Sequence, residues 1–212
     1  MTRTYIYIDG FNFYYGALRK TPYKWLDFMA MCKGLLDPHH DIRCIKYFTA
    51  RVHPTQYDPQ KNIRQETYLR ALKAYIPEIQ IIFGHFQTRV KTLPLDCPKP
   101  PEYTAEVKNT EEKGSDVNLA VHFLNDAWLQ NYDCGVIISN DSDLAEAVRL
   151  VRRYRKKKVI VINPHTQVQA SKRLSRYANK TKMIDKSTLG AYQLPDPIPG
   201  TTISKPKEWW LP

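Results

Sequence analysis

Four aspartates have the type and setting to do chemistry. Asp9 directly follows the apolar run Thr4 to Ile8, Asp116 stands in the turn KGSD, and Asp141 and Asp143 lie together in SNDSD. If folding gathers them, their like charges repel unless some take up protons or cations bind between them. Oxygen ligands without a nearby Cys or His pair point to Mg²⁺ or Mn²⁺ rather than structural zinc. Such ions can lower the pKa of a bound water and stabilise charge building up on a phosphodiester. The chemistry implied is hydrolysis without a covalent enzyme intermediate. Asn12, just beyond Asp9, is either an ordinary polar helix residue or the holder of a metal-bound water. Each acid also has a plainer use: Asp9 in a turn before Gly10, Asp116 at a helix N-terminus, one of Asp141 and Asp143 as a helix cap. Only the joint pattern lifts the functional reading above these.

The elements that must position these acids can be read from periodicity. Thr4 to Ile8 is β-branched and aromatic, fit for a buried strand that puts Asp9 at its carboxyl end. FNFYYGALRK can start a helix, Leu26 to Leu36 reads as another, and Ile42 to Val52 as a second strand. Gln60 to Tyr75 carries apolar residues near a 3.6-residue period and stops before Pro77; Ile79 to Phe83 follows as a third strand. From about 89 to 111 the period is lost and prolines 94, 98, 100 and 101 accumulate, which predicts an exposed loop or ribbon. Ser115 is placed to cap a helix through Trp128. Asp133 to Ser139 is a fourth strand, Asp143 to Tyr154 a helix, and Val159 to Ile162 a fifth strand. Strands alternating with helices imply right-handed crossovers and a mostly parallel sheet, a three-layer α/β/α sandwich. In such sheets ligands bind beyond the carboxyl ends of the strands, where the acidic segments are expected. Residues 1–188 are expected to form the domain and 189–212 a proline-rich tail, either a strap packing Trp209 and Trp210 on the domain or an aromatic platform for bases.

The charge balance favours an anionic partner, because the net charge is +11 and clustered Lys and Arg bind phosphates by releasing counterions. Its placement matters more. Between Arg149 and Ile184 there is no Asp or Glu, while Arg149, Arg152, Arg153, Arg155, Lys156, Lys157, Lys158, Lys172 and Arg173 are all basic. This stretch is read as an RNA-backbone track, the alternative being a solvated helix end. Lys113, beside Gly114, is either a phosphate contact or a solvated lysine. The cysteines 32, 44, 97 and 134 form no CxxC pair, so neither a zinc knuckle nor a disulfide framework is written, and packed reduced thiols are expected. No window nears the roughly 18 apolar residues of a membrane helix, so a cytoplasmic location is expected.

The strings YIYIDGFNFYYG, EEKGSDVNLAVHFLNDA and GVIISNDSDLAEAVR, in this order, resemble the NYN domain family, relatives of the PIN-domain ribonucleases. The closing QLPDPIPG and KPKEWW resemble the tails of bacterial members. The resemblance implies a PIN-like, Rossmannoid fold, Mg²⁺ or Mn²⁺ dependence, and endoribonuclease action on single-stranded or structured RNA. It matches the family's acids to Asp9, Asp116, Asp141 and Asp143 as metal-binding and catalytic residues, and its following Asn to Asn12. Where some relatives have a further acid after KGSD, this chain has His122. An RNA-binding or scaffold protein without turnover is the alternative, and a homo-oligomer is left open. A small-nucleotide binder is weaker, since neither GxGxxG nor GxxxxGK[ST] is present.

Overall fold

Short runs rich in Ile, Val and Tyr build the sheet in the computed structural model, which describes residues 1–99, 101–165 and 167–210. Pro100 of the proline-rich stretch, and Leu211 and Pro212 of the tail, lie outside the described residues. The chain order is β1 (Thr2–Asp9), α1 (Gly10–Phe13), α2 (Phe28–Leu35), β2 (His40–Thr49), α3 (Lys61–Tyr75), β3 (Ile79–Phe83), β4 (His85–Lys99) and β5 (Glu102–Lys113). It continues with α4 (Ser115–Trp128), β6 (Cys134–Ile138), α5 (Ala145–Arg155), β7 (Lys158–Asn163), α6 (Lys172–Tyr177) and β8 (Lys180–Met183). Six strands form one sheet in the order β3-β2-β1-β6-β7-β8, all parallel. The order reverses beside β1, which pairs with β2 on one side and β6 on the other. That reversal is where open parallel sheets leave a crevice for a ligand.

Alternation along the strands divides the core in two. Ile6, Ile8, Val136 and Ile138 face one layer with Phe13, Phe28, Met31 and Leu72 of α1 to α3. Tyr7, Ile137, Val159 and Val161 face the other with Leu119, Phe123 and Val148 of α4 and α5. Period-2 side-chain direction thus produces the expected three layers, and each fully buried side chain of this size contributes about 1.5–3 kcal/mol. A buried ion pair crosses the second layer. Lys46 Nζ of β2 lies 2.6 Å from Asp126 Oδ2 of α4, which also accepts from Tyr7 Oη at 2.7 Å. It ties α4 to the strands that it must be registered against.

Several expectations change in detail. The ribbon is longer than residues 89–111: β4 and β5 pair antiparallel from His85↔Lys113 outward as a separate two-stranded sheet. Ser115 does not cap α4. Gly114, at φ +94, occupies that position, and Ser115 instead donates its N–H and hydroxyl to Glu112 Oε1 at 3.1 and 2.7 Å. The helix after Asp9 keeps α geometry for four residues and then widens into a π turn over Tyr14–Leu18. A sixth parallel strand, β8, lies within the basic stretch. Residues beyond 188 are bound into the fold: Leu189, Leu194 and Ile198 are buried in the first layer, and Pro195 accepts from Trp25 Nε1 at 3.1 Å. Trp209 packs on Trp25 and Tyr68 as a strap would, whereas Trp210 is exposed.

Candidate active site

Asp9 ends β1 at the strand-order reversal, and its neighbours hold its carboxylate in place. Oδ1 accepts from the Asn12 N–H at 2.9 Å and so caps α1, while Oδ2 accepts from Ser139 Oγ at 2.9 Å. Gly10 follows because a Cβ there would lie 2.6 Å from the Phe48 carbonyl oxygen; only glycine lets the chain leave the sheet so close to β2. Ser139, at the end of β6, also accepts from the Asp141 N–H at 3.0 Å. Asp141 Oδ1 in turn accepts from the Asp143 N–H at 2.9 Å, capping the short 3₁₀ turn Ser142–Leu144. Asp141 is therefore a cap as well as a candidate ligand.

The third acidic segment arrives from the ribbon. Gly84, between β3 and β4, passes so close that a Cβ would clash with Glu112 Oε1 and lie 2.6 Å from the Lys113 carbonyl. This packing sets the KGSD turn against the end of β3. It also delivers an acid that the sequence does not single out. Glu112 acts on both Asp9 and Asp116, and its one sequence signal is its place beside Lys113-Gly114. Burial raises the Asp9 carboxyl, the hydrogen bonds from Asn12 and Ser139 pull it back, and Asp141 and Glu112 push it up again. Asp116 goes further, to about 6, through desolvation and then the charges of Asp9, Asp141, Glu112 and Asp143. Four aspartates and one glutamate thus share one electrostatic field. Their hard oxygen donors and mutual repulsion fit a divalent ion such as Mg²⁺ or Mn²⁺.

A family model described as the NYN domain matches residues 3–185. The chain belongs to the NYN domain family. That places it in a PIN-like nuclease superfamily, consistent with the site just described. HspA of Pseudomonas putida (strain DSM 28022 / S16), a 6-hydroxy-3-succinoylpyridine 3-monooxygenase, is 35% identical over 235 residues, spanning 98% of this chain and 75% of HspA. Among solved structures, a protein of unknown function from Vibrio parahaemolyticus RIMD 2210633, VPA0982, superposes with a TM-score of 0.50 at 17% identity. The match covers 87% of this chain and 93% of that one, and at this identity it speaks for the fold alone.

Asn12 has a definite place in this NYN domain. Its Oδ1 accepts from the Asn140 N–H at 3.0 Å and meets His165 Nε2 at 3.1 Å, so the imidazole donates through Nε2. Asn140 Oδ1 accepts from the Ser171 N–H at 2.6 Å. Asn12 thereby fastens together the loops that leave β1, β6 and β7. Asn140, Ser139 and His165 escape a reading of the sequence, because hydrogen bonds between loops leave no periodicity. His122 does not join the acids; its Nδ1 lies 3.4 Å from Lys46 Nζ, beside the buried pair with Asp126.

The basic stretch does not form one track. Arg152 donates to the carbonyls of Tyr177 and Ala178, and Arg155 to those of Ala127 and Trp128 at the end of α4. Arg149 pairs with Glu146, and Lys157, mostly buried, lies 4.0 Å from Asp133. Arg153, Lys156 and Lys158 are exposed, but α5 runs back from the end of β6 to the start of β7, which leaves them at the opposite sheet edge from Asp9. Lys172 and Arg173 are different. They are exposed and follow Ser171, which is bonded to Asn140, so they stand on the acidic edge. Lys113 pairs with Glu111 at 2.7 Å on the ribbon.

Among the described residues, three ligand atoms within 4.8 Å of one another occur in one group, Asp37, His39 and His40. The group lies at the start of β2, the opposite sheet edge from Asp9, and Asp37 faces Lys180 at 3.5 Å. No three carboxylates of the acidic edge come that close together, as expected of groups that repel.

Proposed function

We propose that this NYN domain is a metal-dependent endoribonuclease that hydrolyses RNA phosphodiester bonds at the acidic edge. The observation that carries the reading is the convergence of Asp9, Glu112, Asp116, Asp141 and Asp143 on the strand-order reversal, with Asp116 raised to about 6 by partial desolvation and their shared field. Asp9, Asp116, Asp141 and Asp143 would hold Mg²⁺ or Mn²⁺. When bound, such an ion supplies an activated water and neutralises charge on the phosphate. Ser139 and the Asn12 N–H fix the orientation of Asp9, and Asn12 Oδ1 holds the loop that carries Asp141. Lys172 and Arg173 bind the phosphates flanking the cleaved one. The test is cleavage of labelled single-stranded RNA and its DNA equivalent with EDTA, Mg²⁺ or Mn²⁺, comparing wild type with Asp9→Asn. RNA cuts that need metal and fall at least about 100-fold in the variant, with circular dichroism unchanged, are expected. RNA binding without cuts in Mn²⁺ would replace this reading by that of an RNA-binding protein.

One observation favours a second reading. The likeness to HspA covers nearly the whole chain, which brings hydroxylation of a pyridine acid into consideration. Such a reaction consumes dioxygen and two electrons from a reductant. Incubation with 6-hydroxy-3-succinoylpyridine, a two-electron reductant and air distinguishes the two: substrate-dependent dioxygen uptake with ring hydroxylation supports the second reading.

A further inference from the structure

Next to Asp9 the chain builds a second feature that the carboxylate chemistry does not use. A cleft of about 260 Å³ opens beside Gly10 and Phe11, with Tyr14, Tyr15, Tyr47, Tyr68 and Trp209 among its walls. The π turn contributes two of these. Its wider winding narrows the angle between successive side chains, so neighbours Tyr14 and Tyr15 both border the cleft, edge to face with centroids 5.3 Å apart. Trp209 closes the far side, edge to face with Tyr68 at 5.9 Å, so the C-terminal strap is needed to complete the wall.

The same cleft is cationic. Arg19, Lys24, Lys61 and Arg64 line it, against a single acid, Asp58. Asp58 is already engaged by Arg64, which also has Glu208 at 3.8 Å. None of the ion pairs among the described residues includes Arg19, Lys24 or Lys61. Lys24 is pulled below the ordinary lysine value by burial and then by Arg64, the condition of a cation that lacks an anion. Arg19 stands over the Tyr15 ring at 5.4 Å from its centroid, so these two present ring and charge together; the cleft's aromatic walls offer stacking to a planar ring, and its cations without a paired acid offer charge to the ring's substituent. The volume is at the small end for ligand pockets, enough for one ring with its substituent.

We propose that this cleft binds a planar heteroaromatic ring carrying an anionic group and holds it next to Asp9. Two sources share that chemistry: a nucleotide of an RNA strand, and a free aromatic acid of the pyridine carboxylate type. The assignment goes beyond the phosphodiesterase reading and does not depend on it, because the ring is recognised by groups other than the acids.

The experiment is calorimetric titration of the full chain in EDTA with AMP, UMP, nicotinate and, as a ring-free control, ribose 5-phosphate. Wild type is compared with Tyr15→Ala and Arg19→Gln, both exposed positions, with thermal unfolding as the check on fold. Saturable binding of an aromatic anion is expected, at least about tenfold tighter than ribose 5-phosphate and about tenfold weaker in each variant, as removal of one stacking or charge partner predicts. Tighter binding of the nucleotides assigns the ring to nucleic acid; tighter binding of nicotinate assigns it to a free acid. The proposal is overturned if no aromatic anion binds, if ribose 5-phosphate binds as well, or if neither variant weakens binding. Repeating the titration with Asp116→Asn separates the two hypotheses, since an inert carboxylate site leaves this binding intact.

Discussion

Replacing Asp116 by Asn is expected to stabilise the metal-free protein while disabling it. In the folded state the Asp116 carboxyl stands at about 6 against its ordinary 3.8. The folded value is the higher one, so the contribution favours the fold below about pH 4, is lost as pH rises from 4 to 6, and is gone above 6. With about 1.4 kcal/mol per pKa unit, the ceiling is about 3 kcal/mol. Asp116 lies at the exposed rim, where water screens its neighbours, and the discounted expectation is about 1 kcal/mol. For a chain of this size that is a rise of about 2–4 °C in Tm. Thermal unfolding in EDTA at pH 4, 5 and 7.5 should show the variant's advantage smallest at pH 4, larger at pH 5 and complete at pH 7.5. Mn²⁺ should then raise Tm of wild type and scarcely that of the variant. An advantage that is missing at pH 7.5, or equal at pH 4 and 7.5, would refute the idea that the acids repel one another in the folded protein.

Other expectations concern the supports of the site. Lys46→Met leaves the buried Asp126 without its cation, and denaturant unfolding should show a loss of about 3–5 kcal/mol, largely restored by adding Asp126→Leu; a loss below about 1 kcal/mol would mean that Tyr7 and Asn131 satisfy Asp126 unaided. Asn12→Ala frees the Asn140 N–H and His165, so the Mg²⁺ or Mn²⁺ concentration giving half-maximal cleavage should rise about tenfold, the effect typical of a group that orients a ligand, while stability falls by about 1 kcal/mol. Unchanged metal dependence would remove Asn12 from that role. Lys172→Ala with Arg173→Ala should reduce the slope of log affinity for single-stranded RNA against log salt by about 0.7 for each phosphate that is no longer neutralised. Arg155→Ala should leave that slope unchanged and lower Tm instead, because Arg155 spends its donors on the end of α4.

What can be read from the sequence is what a single segment encodes. The strand at Thr4–Ile8 with Asp9 at its end, the helix after KGSD and the strand before SNDSD are local patterns of apolar period and turn chemistry. Each matches the structure to within a few residues. The parallel order follows from their alternation. The strand β8 is not legible because KTKM has no buried face to advertise; it is a short, lysine-bearing edge strand, and such edges carry charge. The ribbon's pairing is masked by prolines, which remove ladder donors yet are tolerated on edges. At the site, the aspartates are visible as residues in turns, whereas Glu112, Ser139 and His165 matter only through contacts between loops far apart in sequence. The basic stretch misleads for the opposite reason. Its charge is contiguous in sequence, but α5 carries it away from the acids and spends several guanidinium groups on backbone carbonyls.

The contrast between the acidic edge and the cleft bears on how one fold can serve two chemistries. A fold does not fix a function, and HspA, a monooxygenase by name, shares over a third of its aligned residues with this nuclease-superfamily domain. The elements common to both readings are positional: β1 must end at the strand-order reversal, Gly10 must let the chain turn, and the loops after β6 and β7 must be fastened by Asn12. Those features hold any reacting group at the same crevice. What differs between the readings is which neighbour does the binding. Phosphodiester hydrolysis would draw on Asp9, Asp116, Asp141 and Asp143, and a strand of RNA would also use Lys172 and Arg173. Chemistry on a small aromatic acid would draw on the tyrosines of the π turn, Trp209 and the unmatched cations. Loss of cleavage in Asp9→Asn with intact ring binding would show the two halves to be separable. A ligand that needs both would show the crevice to be one site.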